Sequence, residues 1–211
     1  ELQRVPGQVV GHGQRVMVDW KPGQVFQPEN LTPAVIGLIK ARLSPAQVVG
    51  ITAWREAEAR FEDGRWTPNP VEAMADIIEV IDYRAADKRW TAKGYKGVCL
   101  ARWQFSCWEP TGGPDDPKDA DALAENFEVV MRIAQKLIAG TQPVGKLREC
   151  IDLAQEAVGG RCNHTMPPRT THYYADSMTA APDWAFHDKA RTSPRIPVAT
   201  RFGHIFYAGV P

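Results

Sequence analysis

The sequence predicts an α+β fold, mainly helical with a small β-containing C-terminal part, and three observations support it. Thr32-Pro33 and Ser44-Pro45 each put a capping residue before a proline, which suits the first helical position. In "VEAMADIIEVIDYRAADKR" (71–89) the apolar residues at 74, 77, 78 and 81 recur as one buried helical face. Beyond Gly160 the pattern changes. "CNHTMPPRTTHYYADSMTAAPDW" and "RIPVATRFGHIFYAGV" are rich in Pro, Thr and aromatics, with short strand-like runs.

Residues 1–30 are rich in Gly and Pro and contain short alternating runs such as "QRVMVDW". They read as an extended N-terminal arm with one or two short strands, leaving 31–211 as one domain. Helices are expected at 33–43 and 45–61. "GRWTPNP" then reads as a loop before the helix at 71–89. The polar stretch "TGGPDDPKDADA" leads into a helix over about 119–139. A final helix in "PVGKLRECIDLAQEAVGG" is closed by Gly159-Gly160. No internal repeat or low-complexity tract interrupts this order.

A chain of 211 residues with 44% hydrophobic content can bury a sizeable core without relying on disulfides or metals. Its 25 basic and 25 acidic side chains cancel, so no global field recruits nucleic acid or an anionic membrane. No run of 18 apolar residues occurs, so no transmembrane helix is expected. The first segment lacks a charged start followed by an apolar stretch, and no signal peptide is read there. The chain does not begin with Met, which fits a processed or trimmed protein. Cysteines at 99, 107, 150 and 162 match no CxxC pattern. Cys99–Cys107 and Cys150–Cys162 are candidate disulfides for a protein working outside the cytoplasm, and buried thiols are the alternative.

"ITAWREAEARFEDG" (51–64) sets Glu56, Glu58 and Glu62 in an otherwise half-buried helical segment. A buried carboxylate is costly unless it is paired, solvated or used. On a helix reaching residue 61, Glu56 shares its face with Val49, Thr52, Ala53, Ala59 and Arg60. Those small neighbours would let a ligand approach and would raise a carboxyl pKa by desolvation. Glu58 falls near Ile51, Trp54, Arg55 and Phe61, and Glu62 at the helix end in solvent. A solvated or ion-paired glutamate is the ordinary alternative at each position.

Several segments bear on that choice: "WREA" (54–57), "EAMADIIEVIDYRA" (72–85), "ARWQFSCW" (101–108), "THYYA" (171–175), "PDWA" (182–185) and "FGHIFY" (202–207). In this order they resemble the cell-wall hydrolase family typified by the spore-cortex-lytic enzyme SleB. Its hallmarks are W/Y-x-E-A-R-G-E, E-G-x-x-A-V-A-x-V-I-x-N-R, Q-F-S-x-W, A-T-H-Y-Y, P-x-W-A and G-x-H-x-F-Y. The resemblance runs from residue 52 to 207. The glutamate motif is split here between "REAEA" and "EARFE", and the longer "RFEDGRWTPNPV" follows it. Aligning on Trp54-Arg55 makes Glu56 the counterpart of the catalytic acid, whereas aligning on Ala59-Arg60 makes it Glu58. Tyr83 stands where the family has Asn, and Arg84 is kept. The Trp anchor and the small-residue face favour Glu56, with Glu58 second.

The resemblance implies a lysozyme-like or SleB-like catalytic domain that cuts peptidoglycan between N-acetylmuramic acid and N-acetylglucosamine. Several members do so as lytic transglycosylases. Such a reaction needs a general acid at the glycosidic oxygen. No second carboxylate stands out, because Asp76, Glu79 and Asp82 read as a solvated helix face. That leans toward transglycosylation, in which one glutamate serves as acid and then base. Gln104, Phe105, Ser106 and Trp108, with His172, Tyr173 and Tyr174, are the substrate-binding candidates. For Phe105, Phe206 and Trp184 a core role is the preferred reading, while Gln104 and Tyr173 fit cleft and core equally. No cofactor or metal is called for. The implied partner is the glycan strand, reached in the periplasm or outside the cell. An autolysin or a phage endolysin fits, the latter with virion or lysis partners. Two rivals stand beside this reading. His164, His172, His187 and His204 with Cys162 suggest a zinc amidase or peptidase, though HExxH is lacking. A wall-binding or phage structural module on a degenerate hydrolase fold is the other.

Overall fold

The computed structural model describes residues 32–90, 94–101, 104–109, 120–178 and 180–211. The expected N-terminal arm lies outside the described residues. In chain order the elements are α1 (Pro33–Arg42), α2 (Pro45–Glu56), β1 (Ala59–Glu62), β2 (Arg65–Pro68), α3 (Val71–Ala86), α4 (Gly94–Leu100), α5 (Ala120–Ile138), α6 (Gly145–Val158), β3 (Thr170–Ala175), β4 (Ala199–Arg201) and β5 (His204–Ala208). The fold is α+β and mainly helical, with a small C-terminal sheet. Among the described residues no single helix is long and apolar enough to cross a membrane.

The chain divides into two compact units. Among the described residues, one unit comprises those from Thr32 to Ser44 and those within Ser106–Pro143. In it the Thr32 hydroxyl accepts from the Val35 amide and Pro33 opens α1, as the sequence suggests. α1 buries Val35 and Ile39 and packs on α5. α5 answers with Phe127, Val130, Met131, Ala134 and Leu137, a stripe at helical spacing. A 3₁₀ turn, Ser106–Trp108, packs against α5 and buries Trp108.

The other unit comprises Pro45–Phe105 and Val144–Pro211. Its centre is α2, where every residue from Val48 to Ala53 is buried. α2 packs on α3, α4 and most extensively α6. The close approach to α6 depends on Gly50: a Cβ there would lie 2.7 Å from Ile151 Cγ1 and 2.8 Å from its Cα. α6 ends as its glycine pair predicts. The Arg161 amide bonds the Glu156 carbonyl, the Gly160 amide bonds the Ala157 carbonyl, and Gly160 has φ +78°. The sheet order is β3-β5-β4, all antiparallel, with an irregularity between Thr170 and His172.

Two readings of the sequence are corrected here. The helix expected over 45–61 stops at Glu56, and "GRWTPNP" is not simply a loop, because β1 and β2 form a hairpin. Asp63 and Gly64 make its turn with φ of +52° and +76°, and Phe61 pairs with Trp66. An Asp-Gly step between β-prone residues is a hairpin signal strong enough to end the helix. The second correction concerns α3. Asp76 and Glu79, expected in solvent, are 5% and 1% exposed, and Asp82 is half-buried. The segment at residues 161–166 and Arg201 cover that face. None of the four cysteines is disulfide-bonded: Cys99, Cys107 and Cys150 are buried thiols and Cys162 a partly exposed one.

Candidate active site

Glu56 is the last residue of α2, with buried Thr52 and Ala53 one turn behind it. Its carboxylate accepts a hydrogen bond from Tyr173 Oη at 3.0 Å. Tyr173 is held on β3, with its ring edge-on to His204 at 5.4 Å and tilted against Phe206 at 5.9 Å. His204 opens β5 next to the Phe202-Gly203 turn, and its ring lies against the carbonyls of Phe202 and Glu56. Burial pushes the His204 imidazole below its usual range, and those carbonyls partly pull it back.

Arg84 supports this group from behind. It falls on the buried stripe of α3 and is 6% exposed. Its Nε donates to the Thr171 carbonyl at 2.6 Å, tying α3 to the residue two before Tyr173. Another guanidinium nitrogen faces Gln104 Oε1 at 3.5 Å, and the cation lies over Phe105 at 5.2 Å and Trp90 at 5.4 Å. Burial disfavours the Arg84 charge, while Tyr173, Cys99 and Glu56 favour it. The sequence shows this arginine on α3, but the contacts it makes were not legible there. The signal was its spacing from Ile77 and Ile81, which puts a cation on an apolar face.

The hairpin β1–β2 flanks Glu56. Buried Asn69 anchors its base, donating to the Phe202 carbonyl at 3.1 Å and accepting from Arg60 at 2.9 Å. The hairpin carries Trp66, 68% exposed, an aromatic face that the sequence reading passed over.

The other expected site residues divide sharply. Glu58 lies beyond the end of α2, is ion-paired with Arg55, and its side chain is 40% exposed. Glu62 falls on β1 rather than at a helix end, and its side chain is outside the described residues. Phe105 is buried under the Arg84 guanidinium. Ser106 and Trp108 belong to the other unit, where Trp108 is buried and its carbonyl accepts from Lys40 Nζ at 2.9 Å. His172 stands 4.9 Å from the Trp184 ring, and burial, reinforced by Arg84, Arg89 and Arg195, pushes it down to about 4. It is therefore neutral near pH 7. Tyr174 stacks on Tyr207 at 6.0 Å within a small aromatic cluster with Trp184.

A pocket of about 350 Å³ opens on the acidic face of α3, lined by Asp76, Glu79, Cys162, Thr165, Arg201 and Phe202 among others. Glu79 is fully engaged there, accepting from the Thr165 amide and hydroxyl and from the Met166 amide. Asp76 pairs with Arg201 at 2.7 Å, yet burial outweighs the arginine and pushes its carboxyl up to about 6. A carboxyl raised in the folded state stabilises the fold below its ordinary value of 3.8, and that contribution is lost as pH rises through about 6. His172 has the opposite sign, because its contribution is present above 6.5 and lost as pH falls through about 4. The difference in Tm between wild type and Asp76→Asn isolates the first effect. It should move in favour of wild type on acidification from pH 7 to 4, and a flat difference would refute the assignment.

The chain matches no family model, no curated protein and no solved structure.

Proposed function

We propose that this chain cleaves the glycan strands of peptidoglycan between N-acetylmuramic acid and N-acetylglucosamine, with Glu56 as acid and then base. The observation that carries the reading is a convergence of segments far apart in sequence. Glu56, Arg84, Gln104, Tyr173 and His204 come from stretches that each resemble the SleB-like family. They are linked through the Tyr173–Glu56 hydrogen bond and the Arg84 contacts to Thr171 and Gln104. Glu58, the competing acid, is engaged by Arg55.

In this reading Glu56 gives its proton to the glycosidic oxygen as the bond to C1 of the muramic acid breaks. The 6-hydroxyl of the same sugar then attacks C1, and its proton passes to the Glu56 carboxylate. One residue closes the cycle. Tyr173 holds the carboxyl in one orientation, and the Arg84 contact to Thr171 fixes the strand that bears Tyr173. Glu79 is consumed by backbone amides, which leaves it unsuited to be the second carboxylate of a two-acid hydrolase.

Mass spectrometry of soluble products from purified peptidoglycan tests the proposal. Anhydro-muropeptides are expected, and Tyr173→Phe should lower their rate about 10-fold, the worth of one orienting hydrogen bond. Reducing-end muramic acid would replace transglycosylation by hydrolysis. The absence of soluble fragments would overturn the enzyme in favour of a wall-binding module.

A further inference from the structure

Asp82, Cys162 and His164 offer a carboxylate oxygen, a sulfur and a ring nitrogen that all lie within 4.8 Å of one another. Among the described residues this is the group of His, Cys, Asp and Glu side chains close enough to share an ion. We infer that these residues form a binding site for a zinc-class transition-metal ion, with a fourth position left to water. The inference does not depend on the role given to Glu56.

Distance is the first support. Bonds of about 2.3 Å to sulfur and about 2.0–2.1 Å to nitrogen and oxygen put tetrahedral ligands roughly 3.3–3.6 Å apart. His164 Nε2 and Asp82 Oδ2 are 2.8 Å apart, so an ion replacing the proton between them needs that contact to open by well under 1 Å. The sulfur, within 4.8 Å of both other donors, needs to close by at most about 1.2 Å. Cys162 is partly exposed and His164 exposed, which leaves both side chains room to adjust.

The scaffold around the ligands is fixed. The Arg161 amide bonds the Glu156 carbonyl immediately before Cys162, and the Thr165 and Met166 amides bond Glu79 immediately after His164. The short Cys-Asn-His segment is therefore clamped at both ends. Tyr83 stacks on the His164 ring at 4.6 Å and 18°, while its hydroxyl donates to the Met166 carbonyl at 3.0 Å. Tyr95 Oη lies 2.5 Å from Asp82 Oδ1, the oxygen that does not face His164. Outer partners of this kind orient metal ligands and hold affinity. The donor set selects the metal class: thiolate and imidazole suit zinc and its neighbours, whereas calcium and magnesium take oxygen ligands.

The test uses the full chain, reduced and freed of metal by dialysis against a chelator. Added Co(II) should bind one ion per chain. It should give a thiolate-to-cobalt charge-transfer band with the strong visible absorption of a four-coordinate ion, and Zn(II) should displace it. Cys162→Ser should abolish the charge-transfer band, and His164→Ala and Asp82→Asn should each weaken Zn(II) binding at least about 10-fold. Excess Zn(II) should raise the Tm of wild type by about 5 °C and leave Cys162→Ser unchanged. Since His164 is exposed, its variant keeps the test valid if Cys162→Ser folds poorly. No charge-transfer band in wild type, or full Zn(II) affinity in His164→Ala, would overturn the site.

Discussion

Glu56→Gln should lower the release of soluble glycan fragments from purified peptidoglycan about 10³-fold, while Glu58→Gln stays within about threefold of wild type. The amide is isosteric and can still accept from Tyr173, so the fold should be kept; what it loses is the proton. Loss of a positioned acid removes roughly 10²–10⁴ in rate, and here the same group is also the base. Glu58 lies beyond the helix in a partly exposed i,i+3 pair with Arg55, so losing its charge should change little besides that local contact. Product release measured alongside near-ultraviolet circular dichroism separates chemistry from unfolding. Equal loss in both variants, or loss only in Glu58→Gln, would move the acid to Glu58. Full activity in Glu56→Gln would end the proposal.

Gly50→Ala should cost about 2–3 kcal/mol and lower the Tm by about 5–10 °C. Two effects oppose each other at this position. Alanine is a better helix former than glycine by about 1 kcal/mol, which alone would stabilise α2. Against that, the new methyl would sit 2.7–2.9 Å from Ile151 Cγ1, Cα and N. Two of those are backbone atoms of α6, so no side-chain rotation relieves the clash and the helices must separate. Separation loosens the packing between the buried residues of α2 and Ile151, Ala154 and Ala157. Overpacking therefore wins. Gly37→Ala in α1 is the control, because nothing lies within 4 Å of its built Cβ. It should gain about 0.5–1 kcal/mol. The assignment fails if thermal unfolding of Gly50→Ala is at or above wild type.

Local signals were legible where a residue's neighbours in sequence are also its neighbours in space. Thr32-Pro33 opened α1, Gly159-Gly160 closed α6, and residues 74, 77, 78 and 81 marked the buried side of α3. Asp63-Gly64 was equally local and was outweighed by apolar periodicity that ran on past Glu56. The hairpin was readable and was missed.

The candidate site was legible as a set of segments and not as an arrangement. The sequence by itself determined a helical α+β chain, a short list of glutamates, and the types of side chain that could accompany them. It favoured Glu56 over Glu58 only through the Trp54 anchor and the small-residue face of a helix drawn to residue 61; where α2 stops and which carboxylate meets Tyr173, 117 residues away, are set by the tertiary structure. Nor could the sequence tell that Asp76 and Glu79 are buried, since the groups that cover them come from residues 161–166 and Arg201. The reason is physical. Periodicity reports which face of an element is apolar, whereas burial of a polar face, the pairing of its charges and the gathering of Asp82, Cys162 and His164 are set by contacts between distant segments.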